Sequence, residues 1–175
     1  MNLFSIPHTG THLVRDEIIG GTWTNAKQGS AQISEHIYTF NAPLLITRME
    51  QSPTIITVRH PRLTATSWLK YGKDVRELPI LYYILVELLD KYEPLYLPID
   101  GKDRDKYLTE INNKLGTDYK TDWPMVSVHN TRKPDLGEHA EDIDRLCKNI
   151  KPFLDRFYGN NRTNRRKSPT KAKRS

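Results

Sequence analysis

Six residues near the start of the chain, Pro7-His8-Thr9-Gly10-Thr11-His12, have the types and order that hold an anion. They lie between an apolar run and a helical pattern, so Gly10 falls in a tight turn at a helix N-terminus. Backbone N–H groups left open in the first helical turn, with the partial positive charge there, suit a phosphate or sulfate. Gly10 lets the backbone come close, and Thr9 and Thr11 offer hydroxyl donors. The same residues also read as an ordinary strand–turn–helix with a threonine cap. A second set begins at Arg59-His60-Pro61, with Ser67 eight residues after Arg59. An arginine fork and a serine hydroxyl from the following helix can grip a phosphate dianion. Read otherwise, Arg59 ends a strand and pairs with a surface carboxylate. No Gly-x-x-x-x-Gly-Lys-Ser/Thr occurs, which counts against an ordinary P-loop ATPase or GTPase. His8 and His12 are four apart, but His8 precedes the helix and nothing beside them completes a tetrahedral set. No metal is expected.

The elements that must position these residues follow from periodicity and punctuation. Leu3–Ile6 reads as a buried strand stopped by Pro7, and His12–Ile19 as a helix ended by Gly20-Gly21. Thr22–Ser34 reads as loop. Ile37–Phe40 and Leu44–Thr47 read as two strands separated by Asn41-Ala42-Pro43, and Thr54–Val58 as a β-branched strand. Leu63–Tyr71 and Pro79–Tyr92 are helical patterns, the second with a broad apolar face. Pro94–Pro98 is a strand, and Asp103–Leu115 a helix closed by Gly116. Thr117–Pro134 is irregular, with a short strand expected at Met125–Val128. Glu138–Tyr158 is the last helix, divided or kinked at Pro152. Strands alternating with helices predict an α/β fold of three layers, a mainly parallel central sheet flanked by helices. Ligands bind beyond the carboxyl ends of such strands, which puts Pro7–His12 and Arg59–Ser67 on one edge.

Length and composition bound the rest. A chain of 175 residues with 37% hydrophobic and 27% charged residues fits one globular domain with polar loops. No apolar run approaches the roughly 20 residues of a membrane span, and the first residues lack the pattern of a secretory signal. Cys147 is the single cysteine, which points to a reducing, cytoplasmic setting and a buried structural thiol. The net charge of +6 is concentrated at one end: residues 159–175 hold seven Lys or Arg and no acid, and with those seven set aside +6 becomes −1. We therefore expect a folded domain over 1–158 and a basic disordered tail over 159–175. Residues 160–175 have the charge to attract nucleic acid or an acidic membrane surface, or simply to solubilise the chain.

The loop Pro7-His8-Thr9-Gly10-Thr11-His12 resembles the 5′-phosphosulfate loop of sulfotransferases, Pro-Lys-Ser/Thr-Gly-Thr-Thr. Thr57-Val58-Arg59-His60-Pro61 through Ser67 looks like that family's 3′-phosphate segment, with the same Arg-to-Ser spacing. Pro94–Asp100, followed by a helix ending Lys114-Leu115-Gly116, is similar to a later strand, acidic turn and helix of the family. Arg132-Lys133-Pro134-Asp135-Leu136-Gly137-Glu138 resembles its late Arg-Lys-Gly segment, with Pro134 in place of a glycine. The resemblance runs from about Leu3 to Tyr158 in a chain much shorter than typical members. It implies a P-loop NTPase-like sulfotransferase fold and transfer of a sulfuryl group from 3′-phosphoadenosine 5′-phosphosulfate (PAPS) to an acceptor hydroxyl or amine. The acceptor would be a small molecule or a glycan, and adenosine 3′,5′-bisphosphate (PAP) the product. It implies donor contacts from His8, Thr9, Gly10, Thr11, His12, Arg59, Ser67, Arg132 and Lys133.

The chain departs from the family at His8, where a lysine normally bridges to the leaving oxygen. Beside phosphates a histidine should titrate high and could act as an imidazolium donor, or its presence could mark a weakened enzyme. Many relatives carry the general base in a Thr-His segment on the strand before the Arg-x-Pro strand. Here that stretch reads as Ile46-Thr47-Arg48, which has no base, and the substitutes are His36, Glu35 and Glu50, with His36 preferred. Trp23, Trp68, Tyr71 and Trp123 are candidates to line an acceptor pocket, or to fill the core. Two other readings are a nucleotide or polynucleotide kinase with a degenerate loop, and a non-catalytic nucleotide-binding protein whose basic tail docks on nucleic acid.

Overall fold

Alternation along each strand decides which helices it packs against, because successive side chains point to opposite faces of a sheet. The computed structural model describes residues 1–21, 32–100, 103–119 and 135–159. Four strands, β1 (Asn2–Ser5), β2 (Ile33–His36), β3 (Thr54–Val58) and β4 (Leu95–Pro98), form one sheet in the order β2-β1-β3-β4. Every neighbouring pair is parallel. Leu3, Ile55 and Leu97 face one side, where they bury Val14, Ile18, Leu108 and Ile111. These come from α1 (Leu13–Ile19) and α5 (Arg104–Leu115). Phe4, Ile56 and Tyr96 face the other side and pack on the larger core.

That larger core is covered by α2 (Ala42–Gln51), α3 (Pro61–Lys70), α4 (Leu78–Tyr83, continuing through Ile84–Leu89), α6 (Ala140–Asn149) and α7 (Lys151–Tyr158). Pro152 sits in the first turn of α7 and separates it from α6, where a missing N–H costs nothing. Helices therefore cover both faces of a parallel sheet, the three-layer α/β arrangement expected from the sequence. Cys147 on α6 is half-buried against the larger core, and burial raises its thiol pKa.

Two strand assignments are overturned. Leu44–Thr47 lies inside α2 and is not a strand. A short run such as Leu44-Leu45-Ile46 does not distinguish the two states. Pro43 at the helix start and the helical spacing of Ala42, Leu45 and Met49 decide for helix, with Ala42 and Leu45 buried. The other strand is displaced: pairing involves Ile33–His36, within and just after the stretch read as loop, whereas Ile37–Phe40 leaves the sheet. Asn41 stabilises that exit by accepting from the Tyr38 N–H at 2.9 Å and donating to the His36 carbonyl at 2.7 Å. The expected strand at Met125–Val128 lies outside the described residues, as does the tail over 160–175. Among the described residues, no helix is long and apolar enough to cross a membrane.

Candidate functional site

Parallel register brings three polar residues into one row across the carboxyl end of the sheet. His36 on β2 lies opposite Ser5 on β1, and Ser5 lies opposite Thr57 on β3. Each sits where the alternation would otherwise present an apolar side chain to the α1 face. The row anchors the loop that follows β1. The Ser5 hydroxyl bonds the Thr11 hydroxyl. The Thr57 hydroxyl meets Thr9 Oγ1 at 3.0 Å, and Thr9 Oγ1 donates onward to the Ile6 carbonyl at 2.7 Å. The Thr9 N–H also donates to the Ile6 carbonyl, at 3.2 Å. Thr9 is almost wholly buried, so its side chain shapes the turn and does not offer the free hydroxyl donor expected of it.

Gly10 is required on two counts. Its φ of +83° lies in the left-handed region, and an added Cβ would sit 3.0 Å from Ile99 Cγ2. The loop is thus pressed against the residue that follows β4. From Gly10 the chain enters α1, with the Val14 N–H donating to the Gly10 carbonyl at 3.0 Å.

His8 also has a left-handed backbone, φ +66°, which costs a non-glycine residue about 1 kcal/mol or more. Contacts from β3 and α3 hold it there. Arg59 Nη1 donates to the His8 carbonyl at 3.2 Å, and Ser67 Oγ lies 3.5 Å from His8 Nδ1. Tyr71, just past α3, packs its ring on the His8 imidazole with centroids 4.9 Å apart. Trp68 Nε1 donates to the Pro7 carbonyl at 2.9 Å. Trp68 is therefore core and anchor, not a pocket-lining aromatic, with only 2% of its surface exposed. Tyr71 is exposed, and Trp23 and Trp123 lie outside the described residues.

Arg59 is fixed from behind: the buried Tyr82 hydroxyl donates to its carbonyl at 2.6 Å and meets Thr64 Oγ1 at 3.0 Å. Its Nε is buried with no hydrogen-bond partner among the described residues. The next turn is tied down by Asp100, which accepts from the His60 N–H at 3.2 Å and from the Tyr158 hydroxyl at 2.6 Å. His60 caps α3, its Nδ1 accepting from the Arg62 N–H at 3.3 Å.

A cleft of about 260 Å³ opens at this edge. His8, Gly10, Thr11 and His12 line it from the loop, His36 and Tyr38 from the end of β2, and Lys73 from the turn after α3. Arg59 and Ser67 touch His8 without lining that cleft. Larger cavities of about 310 and 460 Å³ lie elsewhere, one against α4 and α6 and the other at the amino ends of β3 and β4. The smaller cleft is the candidate site, because it opens beyond the carboxyl ends of the strands. In the order β2-β1-β3-β4 the chain switches direction between β1 and β3, and crevices form where such a switch occurs.

Burial lowers the His36 pKa below its ordinary value, with His12 and His8 adding repulsion against a partial offset from Glu35 and Ser5. Its Nδ1 lies 3.0 Å from Ser5 Oγ. Burial likewise lowers the His8 pKa, followed by the charges of Lys73, Arg59 and His12. His12 is exposed and bonded through Nδ1 to Arg15 at 2.9 Å.

The strand expected to precede Thr54–Val58 is also corrected. Ile46-Thr47-Arg48 belongs to α2, so the strand that precedes β3 in sequence is β2, and it ends in His36. Glu50 is exposed at the far end of α2, and Glu35 points to the opposite face of β2 from His36. Arg132 and Lys133 lie outside the described residues. Sequence reading missed Ser5, Thr57, Tyr38 and Lys73. Hydroxyls at alternate positions of otherwise apolar strands were a legible signal for the first two. Among the described residues, no group of His, Cys, Asp and Glu is arranged to hold a metal.

No family model matches the sequence, and no characterised protein matches it by sequence. Among solved structures it is similar to mouse sulfotransferase SULT7A1 complexed with PAP, at 16% sequence identity and a TM-score of 0.50. The alignment covers 85% of this chain and 62% of that one, so this chain spans less than two thirds of its neighbour's length. At that identity the likeness is one of fold, and the chain has a sulfotransferase-like α/β fold.

Proposed function

We propose that this chain binds PAPS through the loop over residues 7–12 and moves its sulfuryl group to an acceptor hydroxyl or amine on a small molecule or glycan. One observation carries the reading: the row His36–Ser5–Thr57 anchors the loop over residues 7–12 and sets an imidazole at its mouth. The mouse neighbour's complex with PAP and the shared fold support it. The donor set fits a nucleotide with two phosphates. The loop's first helical turn supplies N–H groups for one, and the Arg59 guanidinium, with its Nε unpartnered among the described residues, supplies a fork for the other.

Bound there, the nucleotide supplies a sulfuryl group, which bonds to the acceptor atom as the bridge to the 5′-phosphate breaks and leaves its electron pair on that phosphate. The chain's part is to place and neutralise. With its proton on Nδ1, His36 donates to Ser5 Oγ across the 3.0 Å between them, which orients the ring and leaves Nε2 with the lone pair that takes the acceptor's proton. Its lowered pKa keeps it neutral, and so basic, at pH 7. Tyr38 walls the acceptor side of the cleft, stacked on the exposed Phe40 ring with centroids 5.3 Å apart. Arg132 and Lys133 belong to the proposed donor contacts through the resemblance of their segment.

Thermal shift and calorimetry with PAP, ATP plus Mg²⁺, and short DNA test the reading. PAP should stabilise the chain and ATP should not, and radiolabelled sulfate should pass from PAPS to an acceptor. Stabilisation by ATP–Mg²⁺ without any by PAP would turn the assignment towards a kinase. Stabilisation by DNA alone would turn it towards a nucleic-acid-binding protein.

A further inference from the structure

We propose that Lys73, on the turn after α3, is the cation that neutralises the 5′-phosphate end of the nucleotide in the His8 cleft. The inference rests on the donor reading above and adds a residue that no motif marks. Among the described residues lining the cleft, charge is carried either by histidines, whose state depends on pH, or by Lys73. A lysine ammonium is charged at neutral pH without help. Arg59 turns its guanidinium to the His8 carbonyl, outside this cleft. The histidines are poor substitutes, since burial keeps His8 and His36 towards their neutral forms.

The fold fixes Lys73 with respect to the loop. Tyr71 ends α3, and Gly72 follows with φ +64°, the left-handed residue that closes a helix. The Gly72 N–H donates to the Leu69 carbonyl at 3.1 Å and the Lys73 N–H to the Trp68 carbonyl at 3.0 Å. These two bonds make a Schellman motif, which sets the direction in which Lys73 leaves the helix. Trp68, which receives the Lys73 N–H, also donates its indole N–H to the Pro7 carbonyl at 2.9 Å. One side chain and its own carbonyl thus couple the start of the loop to the backbone of Lys73. Tyr71, between them, packs on His8. The charge reaches the loop, for Lys73 is the strongest of the cations acting on the His8 ring. None of the ion pairs among the described residues involves Lys73, which lines the cleft.

The test compares Lys73→Met, Lys73→Arg and, as a neighbouring control, Lys70→Met, whose ammonium lies 5.9 Å over the outer Tyr71 ring. An NMR titration of the His8 imidazole reads placement without any ligand. Lys73→Met should raise the apparent His8 pKa, and Lys70→Met should leave it unchanged. Calorimetry then reads the site. Lys73→Met should weaken PAP at least about tenfold, about 1.4 kcal/mol, with little effect on adenosine 3′-monophosphate, and Lys73→Arg should stay near wild type. Introducing His8→Lys into Lys73→Met should recover PAP affinity, since it returns a lysine to the same cleft. Equal PAP affinity in wild type and Lys73→Met, or equal losses for the bisphosphate and the 3′-monophosphate, would overturn the role of Lys73 while leaving the donor reading intact. A wild-type chain that binds no PAP would overturn that reading and this inference with it.

Discussion

Arg59 reaches across 51 residues of chain to donate to the His8 carbonyl at 3.2 Å, so the end of β3 braces the loop that follows β1. That brace holds His8 in a left-handed conformation which glycine would adopt freely. A histidine kept there at a cost points to use of its imidazole rather than to the needs of the turn. His8→Gly should therefore leave stability within about 1 kcal/mol of wild type, because relief of backbone strain offsets the entropy of glycine. Urea unfolding measures it. A loss of several kcal/mol would make the imidazole a structural part of the loop.

Gly10 should behave in the opposite way. Gly10→Ala forces a Cβ into a left-handed backbone against Ile99, 3.0 Å away. We expect a loss of about 1–3 kcal/mol in urea unfolding, from strain and overpacking together. Pairing it with Ile99→Val, which shortens the opposing side chain, should recover part of that loss. No recovery would mean that the backbone angle alone carries the cost.

His36→Gln removes the proposed base and keeps a polar side chain at the end of β2. Turnover should fall by roughly 10²–10⁴, the usual worth of a positioned general base. PAP affinity should change by less than about tenfold. Steady-state kinetics and calorimetry on the same preparation separate the two. Turnover within a factor of about three of wild type would take the base assignment away from His36.

The three histidines around the strand ends predict how stability varies with pH. Burial lowers the pKa of His8, His36 and His60 below the ordinary value of 6.5, only partly offset at His60 by Asp100. As pH falls the unfolded chain takes up these protons first. The stability they contribute is therefore whole above about pH 6.5 and is lost as pH drops through the folded-state values. The melting temperature should be lower at pH 5.5 than at pH 7.5, and His36→Gln should shrink the difference. PAP should shrink it too, since a phosphate beside His8 favours the charged ring. An unchanged or larger difference in His36→Gln would contradict a depressed pKa at that position.

Much of this was legible in the sequence because it depends on near neighbours. Thr54–Val58 is β-branched throughout and is a strand. Gly10 between threonines makes the turn, and Gly116, with φ +64°, ends α5. The Leu44–Thr47 stretch reads as strand because Leu44-Leu45-Ile46 fits either period, and Pro43 and the face that Ala42 and Leu45 bury decide for helix. His36 enters the sequence reading only as a substitute base, because Leu44–Thr47 reads there as the strand before Thr54–Val58; with that stretch helical, the strand before β3 is β2, which ends in His36.

By itself the sequence determined the alternation of strands and helices and the turn at Gly10, since propensity and backbone freedom act over a few residues. The tertiary structure alone decided that His36, Ser5 and Thr57 form one row, that Arg59 turns to the His8 carbonyl, and that Lys73 reaches the cleft. Register between parallel strands is set by packing on both faces of the sheet, and no local pattern in the chain encodes which residues will lie side by side.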